Sequence, residues 1–559
     1  MGTGQNGFPG GGRRGILLKG QLARTLVGLI VTAIAGYISF YITLPALNIH
    51  ATEFYVFAVF LCAVYFACVL VTSGIRITGG LPEYFQFVKK QGKLPAVVLI
   101  VLAALYVFGS VSSMVIFRAG AYSKLLKIEQ GDFTRDVEEI SFDKIPLLDK
   151  ESAQKLGDRK LGELSDMVSQ FEVSEDYTQI NYKNRPVRVT PLMYGDVIKW
   201  FNNRAQGLPA FLIIDMASQE ADVVRLKEGI KYSQSEHFGR KIERYLRFRY
   251  PTFMFDLPTF EVDDGNNSYW ICPRIVKTIG LFGGTDIRGA VLVNAVTGEA
   301  QYYEDVPSWV DRVFTAELIT EQYDYYGQYH NGFINSIFGQ KDVTVTTSGY
   351  NYIAMNDDVY VYTGITSVGG DQSNIGFILT NERTKATKYY PCAGATETSA
   401  MSSAEGVVQH LAYEATFPLL LNISSQPTYF MALKDNARLV KMYAMVNVGQ
   451  YQIVATGATV SACEQAYIAL MEQNSIIKQA VPVETEAKGK IAEIRTAVRD
   501  GNSYYYLRLE GEKVFYAVPA SQSELVVILN VGDEVSIRYD ETSGGEIRTA
   551  FSVKRAGAG

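Results

Sequence analysis

Cysteine and histidine are scarce, five and four in 559 residues. Five cysteines cannot build a disulfide framework, and four histidines leave little for a His-rich metal centre. Proline is thin as well, 17 in all, while charged residues make up 20% against 48% hydrophobic ones. That balance excludes a disordered, collagen-like or acidic-tail protein. A basic excess is also missing: 52 Lys and Arg face 58 Asp and Glu, a net charge of −6. No global positive field therefore draws the chain to nucleic acid. The sequence contains no G-x-S-x-G elbow, H-E-x-x-H pair, Walker A loop or G-x-G-x-x-G turn. Ser141-Phe142-Asp143-Lys144 fits S-x-x-K without its partner motifs and reads as solvated chain.

Charge is absent altogether from three long stretches: Thr25 to Leu47, Phe54 to Ile75 and Leu94 to Phe117. At 1.5 Å rise per residue, each is long enough to cross a hydrocarbon core of about 30 Å as a helix. The tail before the first stretch carries Arg13, Arg14, Lys19 and Arg24, and the second loop carries Arg76, Lys89, Lys90 and Lys93. The first loop has only His50 and Glu53. Basic loops stay in the cytoplasm, so residues 1–24 read as a cytoplasmic tail and everything after the third span as extracytoplasmic. Arg13-Arg14 loosely resembles a twin-arginine export signal, but no A-x-A site follows and two more spans come at once. Residues 25–117 are thus expected to form a retained three-helix anchor in the lipid bilayer. Gly28, Thr32 and Gly36, and Gly109 with Ser113, form small-residue stripes that allow close helix packing.

The rest of the chain divides by pattern. Residues 118–185 read as a membrane-proximal helical stalk containing a helix from Lys150 to Phe171, with Leu156, Leu161, Leu164 and Met167 on one side. Residues 186–480 are α+β and repetitive. Val291-Leu292-Val293-Asn294-Ala295-Val296-Thr297-Gly298-Glu299 leads to Tyr302-Tyr303, and Ile378-Leu379-Thr380-Asn381-Glu382-Arg383-Thr384 leads to Tyr389-Tyr390. Tyr443-Ala444-Met445-Val446-Asn447 is a third echo. Each copy reads as a β-hairpin closed by Asn, Thr and Gly, preceded by a helix at about 235–249, 328–338 and 402–414. Capping boxes at Ser402-Ser403-Ala404-Glu405 and Ser461-Ala462-Cys463-Glu464 mark two helix starts. Phe417-Pro418-Leu419-Leu420-Leu421-Asn422-Ile423 reads as a strand matching Tyr250-Pro251-Thr252-Phe253-Met254-Phe255.

The stretch Asn294-Ala295-Val296-Thr297-Gly298-Glu299 resembles PepSY-type domains, small α+β modules found mainly outside bacterial membranes. Their hairpin ends in D-A-x-T-G-E; here Asn294 replaces the Asp, and the second copy has Lys385 and Ala386 in place of Gly298 and Glu299. The chain as a whole resembles large membrane-anchored proteins of Gram-positive bacteria. The resemblance implies an interaction module of the protease-regulating or envelope-binding kind.

Residues 481–559 open on a loop, Pro482 to Ala487. Five short alternating strands follow: Ile491–Val498, Tyr504–Leu509, Val514–Val518, Glu534–Tyr539 and Ile547–Val553. They resemble an OB-fold or another small β-barrel. Tyr504 and Tyr506 share a face as candidate stacking rings, yet this segment has ten basic and twelve acidic residues, which disfavours a nucleic-acid groove.

Other candidates read as structure. Cys272, Cys392 and Cys463 are odd in number, so at most one disulfide forms, and buried thiols are expected throughout, Cys62 and Cys68 included. His237, His330 and His410 lack a second ligand at zinc spacing. Asp263-Asp264-Gly265-Asn266 and Asn356-Asp357-Asp358 read as turns before calcium loops. The tyrosines of Tyr323-Asp324-Tyr325-Tyr326-Gly327-Gln328-Tyr329, from a total of 36, suit sheet packing or a protein interface. No catalytic, cofactor-binding or metal-ligating residue stands out. The expectation is a membrane-anchored envelope protein that binds or regulates a protein partner or scaffolds an assembly through self-association. An envelope hydrolase with a scattered site is the alternative.

Overall fold

The computed structural model describes residues 20–73, 92–139, 145–369, 373–477, 484–499, 502–521, 523–540 and 546–556. The tail residues Arg13, Arg14 and Lys19, the loop residues Arg76, Lys89 and Lys90, and Ser141–Lys144 lie outside the described residues. The chain divides into two compact units, residues 1–454 and 455–559.

The first unit begins with helices α1 (Gln21–Thr43), α2 (Thr52–Ser73) and α3 (Lys93–Ser112), all long and apolar enough to cross a membrane. The small-residue stripes have separate uses. A side chain at Gly28 would press within 2.8 Å of Val69 and 3.1 Å of Tyr65, so this stripe seats α1 on α2. Gly109 faces the tip of a distant hairpin instead, where a Cβ would lie 2.7 Å from both Leu281 and Phe282. Ser113 Oγ accepts the Phe282 N–H at 2.9 Å and donates to the Gly109 carbonyl at 2.7 Å. The third apolar run therefore does not continue to Phe117 as one helix. It stops at Ser112, and α4 (Val115–Tyr122) starts afresh.

Beyond α4 come β1 (Ile128–Gln130) and the short helix α5 (Phe133–Asp136), then α6 (Lys150–Gly162) and four antiparallel sheets. The first sheet contains β2 (Phe171–Val173), β3 (Thr178–Tyr182), β4 (Arg185–Tyr194), β5 (Leu208–Asp215) and β6 (Ala221–Ile230), with α7 (Val197–Asn203) in a connection. After α8 (Ile242–Arg249), the second sheet has β7 (Met254–Phe255), β8 (Thr259–Val262), β9 (Ser268–Ile279), β10 (Gly283–Asn294) and β11 (Ala300–Tyr303). After α9 (Ala316–Tyr329), the third has β12 (Thr344–Thr346), β13 (Asn351–Met355), β14 (Asp358–Ser367), β15 (Ser373–Asn381) and β16 (Thr387–Ala395), and β1 adds in parallel beside β16. After α10 (Glu397–Val407), the fourth runs through β17 (Glu414–Ala415), β18 (Leu419–Ile423), β19 (Gln426–Lys434) and β20 (Val440–Asn447).

All four sheets follow one plan. A helix leads to two short strands that pair with opposite ends of the same long strand, which then pairs with the next long strand. The second short strand turns into the long strand through two residues with positive φ in three sheets: Lys183-Asn184, Asn356-Asp357 and Ser424-Ser425. Such turns match the twist of a hairpin. The paired long strands end in a shared turn: Asn294 Oδ1 accepts from Val296 N and Thr297 N, as Asn381 Oδ1 does from Arg383 N and Thr384 N. Asp215 makes the same two bonds, to Ala217 N and Ser218 N, so the first sheet shares this turn with a different side chain.

Several boundaries differ from the sequence reading. The segment 118–185 is not a separate helical stalk, since β1 joins the third sheet and β2 and β3 join the first. The helix begun at Lys150 stops at Gly162, capped by Asp149, whose carboxylate accepts from Ser152 N. The helix before the third sheet is 316–329, with only a five-residue π turn at 335–339. Thr396, not Ser402, caps α10, and Ser403 lies mid-helix bonded back to the Ser399 carbonyl. The counterpart of Leu419–Ile423 is Thr259–Val262, one strand later than the match to Tyr250-Pro251 suggests.

The second unit holds β21 (Val454–Gly457) at its border, α11 (Val460–Gln473) and a closed barrel. Thr459 caps α11, two residues ahead of the expected box. The barrel strands are β22 (Glu484–Arg499), β23 (Asn502–Leu509), β24 (Phe515–Pro519), β25 (Glu534–Asp540) and β26 (Ile547–Arg555), closed in the order β22–β23–β24–β26–β25. Residues 484–487, expected in a loop, begin β22 and pair with β25.

The anchor and the sheets are joined by buried polar capping. The last carbonyls of a helix have no partner within it. Here α8 supplies them from outside: Arg244 Nε donates to the Tyr41 carbonyl at 3.2 Å and Arg247 Nε to that of Leu44 at 2.9 Å. Arg247 is buried and also donates to the Phe253 carbonyl at 2.5 Å. Arg247→Met should lower the stability of the full chain in nanodiscs by about 2–3 kcal/mol, because those carbonyls lose a charged donor. Arg244→Met, at a half-buried position, should cost less. Thermal unfolding followed by near-ultraviolet circular dichroism checks the order, and equal losses would count against the capping role.

Candidate functional site: the ionic junction of the sheets

The second short strands bring the sheets together. β3 packs beside β8 and β13, and β13 beside β18. These strands carry polar residues into the middle of the molecule. Glu261 of β8 is fully buried, and its two carboxylate oxygens accept the backbone N–H groups of Asp311 at 2.9 Å and Arg312 at 3.0 Å. Asp311 in turn accepts the N–H of Asn181 in β3 at 2.7 Å. The Glu382 carbonyl receives Val313 N and Phe314 N, and its carboxylate lies 3.9 Å from Arg312 Nε. The connection between the second and third sheets is thereby fastened to all of the first three. Beside it, Asp358 takes two bonds from Arg383 at 2.7 Å and one from Asn381 at 2.8 Å.

Burial sets the electrostatics. It pushes Glu261 up to about 7, although the two N–H donors and Arg312 pull the other way. Burial pushes Glu382 up to about 8 against the pull of Arg312. Asp311 is held well above the ordinary carboxylate range by burial and then by neighbouring Glu261. For Arg312 burial opposes the charge, but Glu382 and the Tyr352 phenol outweigh it, so the guanidinium stays charged. Arg188 of β4, only 8% exposed, is brought down to about 10 by burial. It donates to Gln179 Oε1 at 3.3 Å and borders a cavity of about 250 Å³ with Gln179, Tyr350, Tyr352, Phe417 and Met431. Chemically the junction can store protons and offer one donor-rich cation to the cavity. Both oxygens of Glu261 are committed to backbone, which makes it an anchor for the 311–312 loop.

The residues singled out in the sequence lie elsewhere. Tyr504 and Tyr506 share the outer face of the barrel with ring centroids 6.4 Å apart, while Tyr505 packs against the barrel core. None of the five cysteines is in a disulfide; Cys62, Cys272 and Cys463 are buried, and Cys68 and Cys392 are half-buried. His237 stands edge-on to Trp200 at 4.6 Å, His330 bonds the Tyr326 carbonyl, and His410 sits in a single helical turn. Among the described residues no three of His, Cys, Asp and Glu converge as metal ligands. Asp263 closes its own turn by accepting Gly265 N and Asn267 N, and Asn356-Asp357 form the β13–β14 turn. Of the tyrosine cluster, Tyr323 is buried with Tyr326 against the third sheet. The junction acids escape a reading of the sequence because Glu261, Asp311 and Glu382 meet only through the fold. The one signal is a lone carboxylate within each apolar or loop stretch, which is too common to select.

No protein-family model matches the chain, and no curated protein is similar to it.

The junction carries a definite pH signature. Glu261 and Glu382 titrate higher folded than in an unfolded chain near 4.5, so the folded state binds more protons between those limits. Their contribution is fully present below about pH 4.5 and is lost as pH rises through about 7 and about 8. The unfolding temperature should therefore fall from mildly acidic to mildly alkaline buffer. Glu382→Gln, isosteric with the protonated acid, should flatten the slope between about pH 4.5 and about pH 8 and match wild type only at the acidic end, being the more stable of the two above it. A parallel pH profile for variant and wild type would place the effect elsewhere.

Proposed function

We propose that the chain is a membrane-anchored cell-envelope protein whose head faces the extracytoplasmic side and binds a protein partner without turning over a substrate. The basic tail and second loop support the orientation. The recurring Asx-closed turns after β5, β10 and β15 support the reading of the sheets as PepSY-like modules. The barrel order, with β22 pairing both β23 and β25 and with β24 parallel to β26, supports the OB-like reading.

The observation that carries the binding role is the outer ladder of the barrel. Tyr504, Tyr506 and Arg508 alternate along β23, and Arg495 and Arg508 both grip Glu493 of β22. Those two guanidinium groups lie over the Phe515 ring at 5.0 and 5.8 Å. Half-exposed tyrosines beside arginine with little side-chain freedom left to lose are the composition of a protein-binding hot spot. The net acidity of this unit argues for a protein over a nucleic acid.

Two outcomes are expected. A reporter fused after Gly559 should be active only outside the cytoplasm. Affinity purification from native membranes should recover a stoichiometric protein, and a Tyr504→Ala/Tyr506→Ala chain that still folds should retain at most about a tenth of it, since two hot-spot losses exceed about 1.4 kcal/mol together. Undiminished recovery with the double variant would move the binding face elsewhere.

A further inference from the structure

The turn after α9 has its polarity inside out. Asn335 Oδ1 accepts Lys341 N and its Nδ2 donates to the Lys341 carbonyl at 2.9 Å, while Asn331 Nδ2 donates to the same carbonyl and Ser336 Oγ to that of Phe333. With its polar side chains turned onto its own backbone, the turn presents Ile334, Ile337 and Phe338 outward, at 74%, 51% and 83% exposure. In water this arrangement is unfavourable, because the apolar surface of these three side chains stays hydrated.

The course of α9 shows where the turn lies. Leu318, near its start, packs in one cluster with Ile287, Ala290 and Leu292 of β10. Gln322 reaches the Thr285 carbonyl at 2.8 Å, and Tyr325 meets the Tyr122 ring at 4.7 Å. Tyr122 donates to the Ser113 carbonyl at the end of α3. Successive turns of α9 thus descend β10 toward its hairpin tip, where Phe282 packs edge-on to Tyr55 of α2 and tilted against Tyr106 of α3. Tyr329 and Phe333 continue the same ring ladder beyond Tyr325, with centroids 6.2 Å apart at each step. The exposed turn follows at once. On the α4 side of the ladder, Met114, Ile116 and Phe117 are exposed as well, directly after the third span.

We propose that the 332–340 turn, with the exposed side of α4, is an interfacial membrane foot that buries Ile334, Ile337 and Phe338 among lipid headgroups and upper acyl chains. The occupant is the bilayer because the apolar surface is continuous with the spans: the ladder from Tyr122 to Phe333 leads from the end of α3 to the turn. Aromatic and aliphatic side chains beside Lys341 and Arg118 have the composition of a segment that lies at a membrane surface. The foot gives the head a further attachment besides the α8 caps on α1 and the β10 hairpin tip on α2 and α3. This inference rests on the reading of α1 to α3 as a membrane anchor.

Brominated-lipid quenching of tryptophan in the full chain in nanodiscs tests both levels separately. Phe338→Trp, at a site that touches little, and Ile100→Trp, on the exposed middle of α3, are each compared with the parent chain and its three tryptophans. The emission added by Phe338→Trp should shift to the blue and be lost most with bromine near the headgroup end of the acyl chain. The emission added by Ile100→Trp should be quenched most by bromine deep in the bilayer. If the indole in α3 is quenched while the one in the turn emits as in water, the foot is overturned and the anchor stands. A blue-shifted but unquenched signal from the turn means that protein covers it, which also overturns the foot. An unquenched signal from α3 removes the anchor and the foot together.

Discussion

The second short strand of each sheet pairs along one edge only, and its other edge must be covered by something outside its own sheet. An uncovered edge presents unpaired backbone groups and invites aggregation. In this molecule the second short strands come together: β3 lies against β8 and β13, and β13 against β18, and the outer N–H of Asn181 in β3 goes to the Asp311 carboxylate. The sheets are therefore not beads on a string. Their relative positions go with these contacts in the middle of the first unit, and the connection between the second and third sheets runs through that middle. Glu261 is the consequence on the loop side, since the N–H groups of Asp311 and Arg312 brought into the interior need acceptors, and Asp311 is the consequence on the strand side, where it accepts Asn181 N of β3. A carboxylate supplies two acceptor oxygens at one point. The penalty of burying it emerges as raised proton affinity rather than as an unpaired amide.

The head is fixed to the anchor by the same requirement. A span that ends at a membrane surface leaves its last carbonyls facing either water or protein. At the end of α1, Arg244 and Arg247 of α8 donate to carbonyls that water would otherwise serve. Where the β10 hairpin tip enters between α2 and α3, Gly109 makes room and Ser113 supplies the acceptor for Phe282 N. The anchor helices and the sheets thus belong to one compact unit.

How much of this is legible in the sequence depends on range. Signals confined to one element or one turn survive: the three charge-free runs, the Asn294 and Asn381 turns, the α+β alternation and the five barrel strands. Helix starts shift because Ser402 and Ser461 carry the full capping box, while the actual caps Thr396 and Thr459 accept from Ser399 N and Ala462 N without a Glu or Gln at that position to mark them. Part of the first sheet reads as a stalk because Asp215, Ser218 and Gln219 make the same turn as Asn294, Thr297 and Gly298 with no shared letter. Backbone geometry repeats there while side-chain identity does not. The junction is hidden for a different reason: a carboxylate at 261 and another at 382 have no local relation, and their meeting is a property of several sheets at once.

The junction and the 332–340 turn are two of the places in the first unit where the ordinary rule that charge lies outside and apolar surface inside is broken. At the junction, buried carboxylates break it and the chain itself supplies the remedy, through backbone donors and Arg312. At the 332–340 turn, Ile334, Ile337 and Phe338 break it in the opposite sense, and no described residue covers them. The turn is also not a frayed loop, since its own asparagines and serine close it. A segment that is ordered, polar within and apolar without is matched to a medium that is not water. Its position one ring ladder away from the end of α3 makes the bilayer that medium, so an anomaly of surface composition becomes a statement about how the head stands on the membrane.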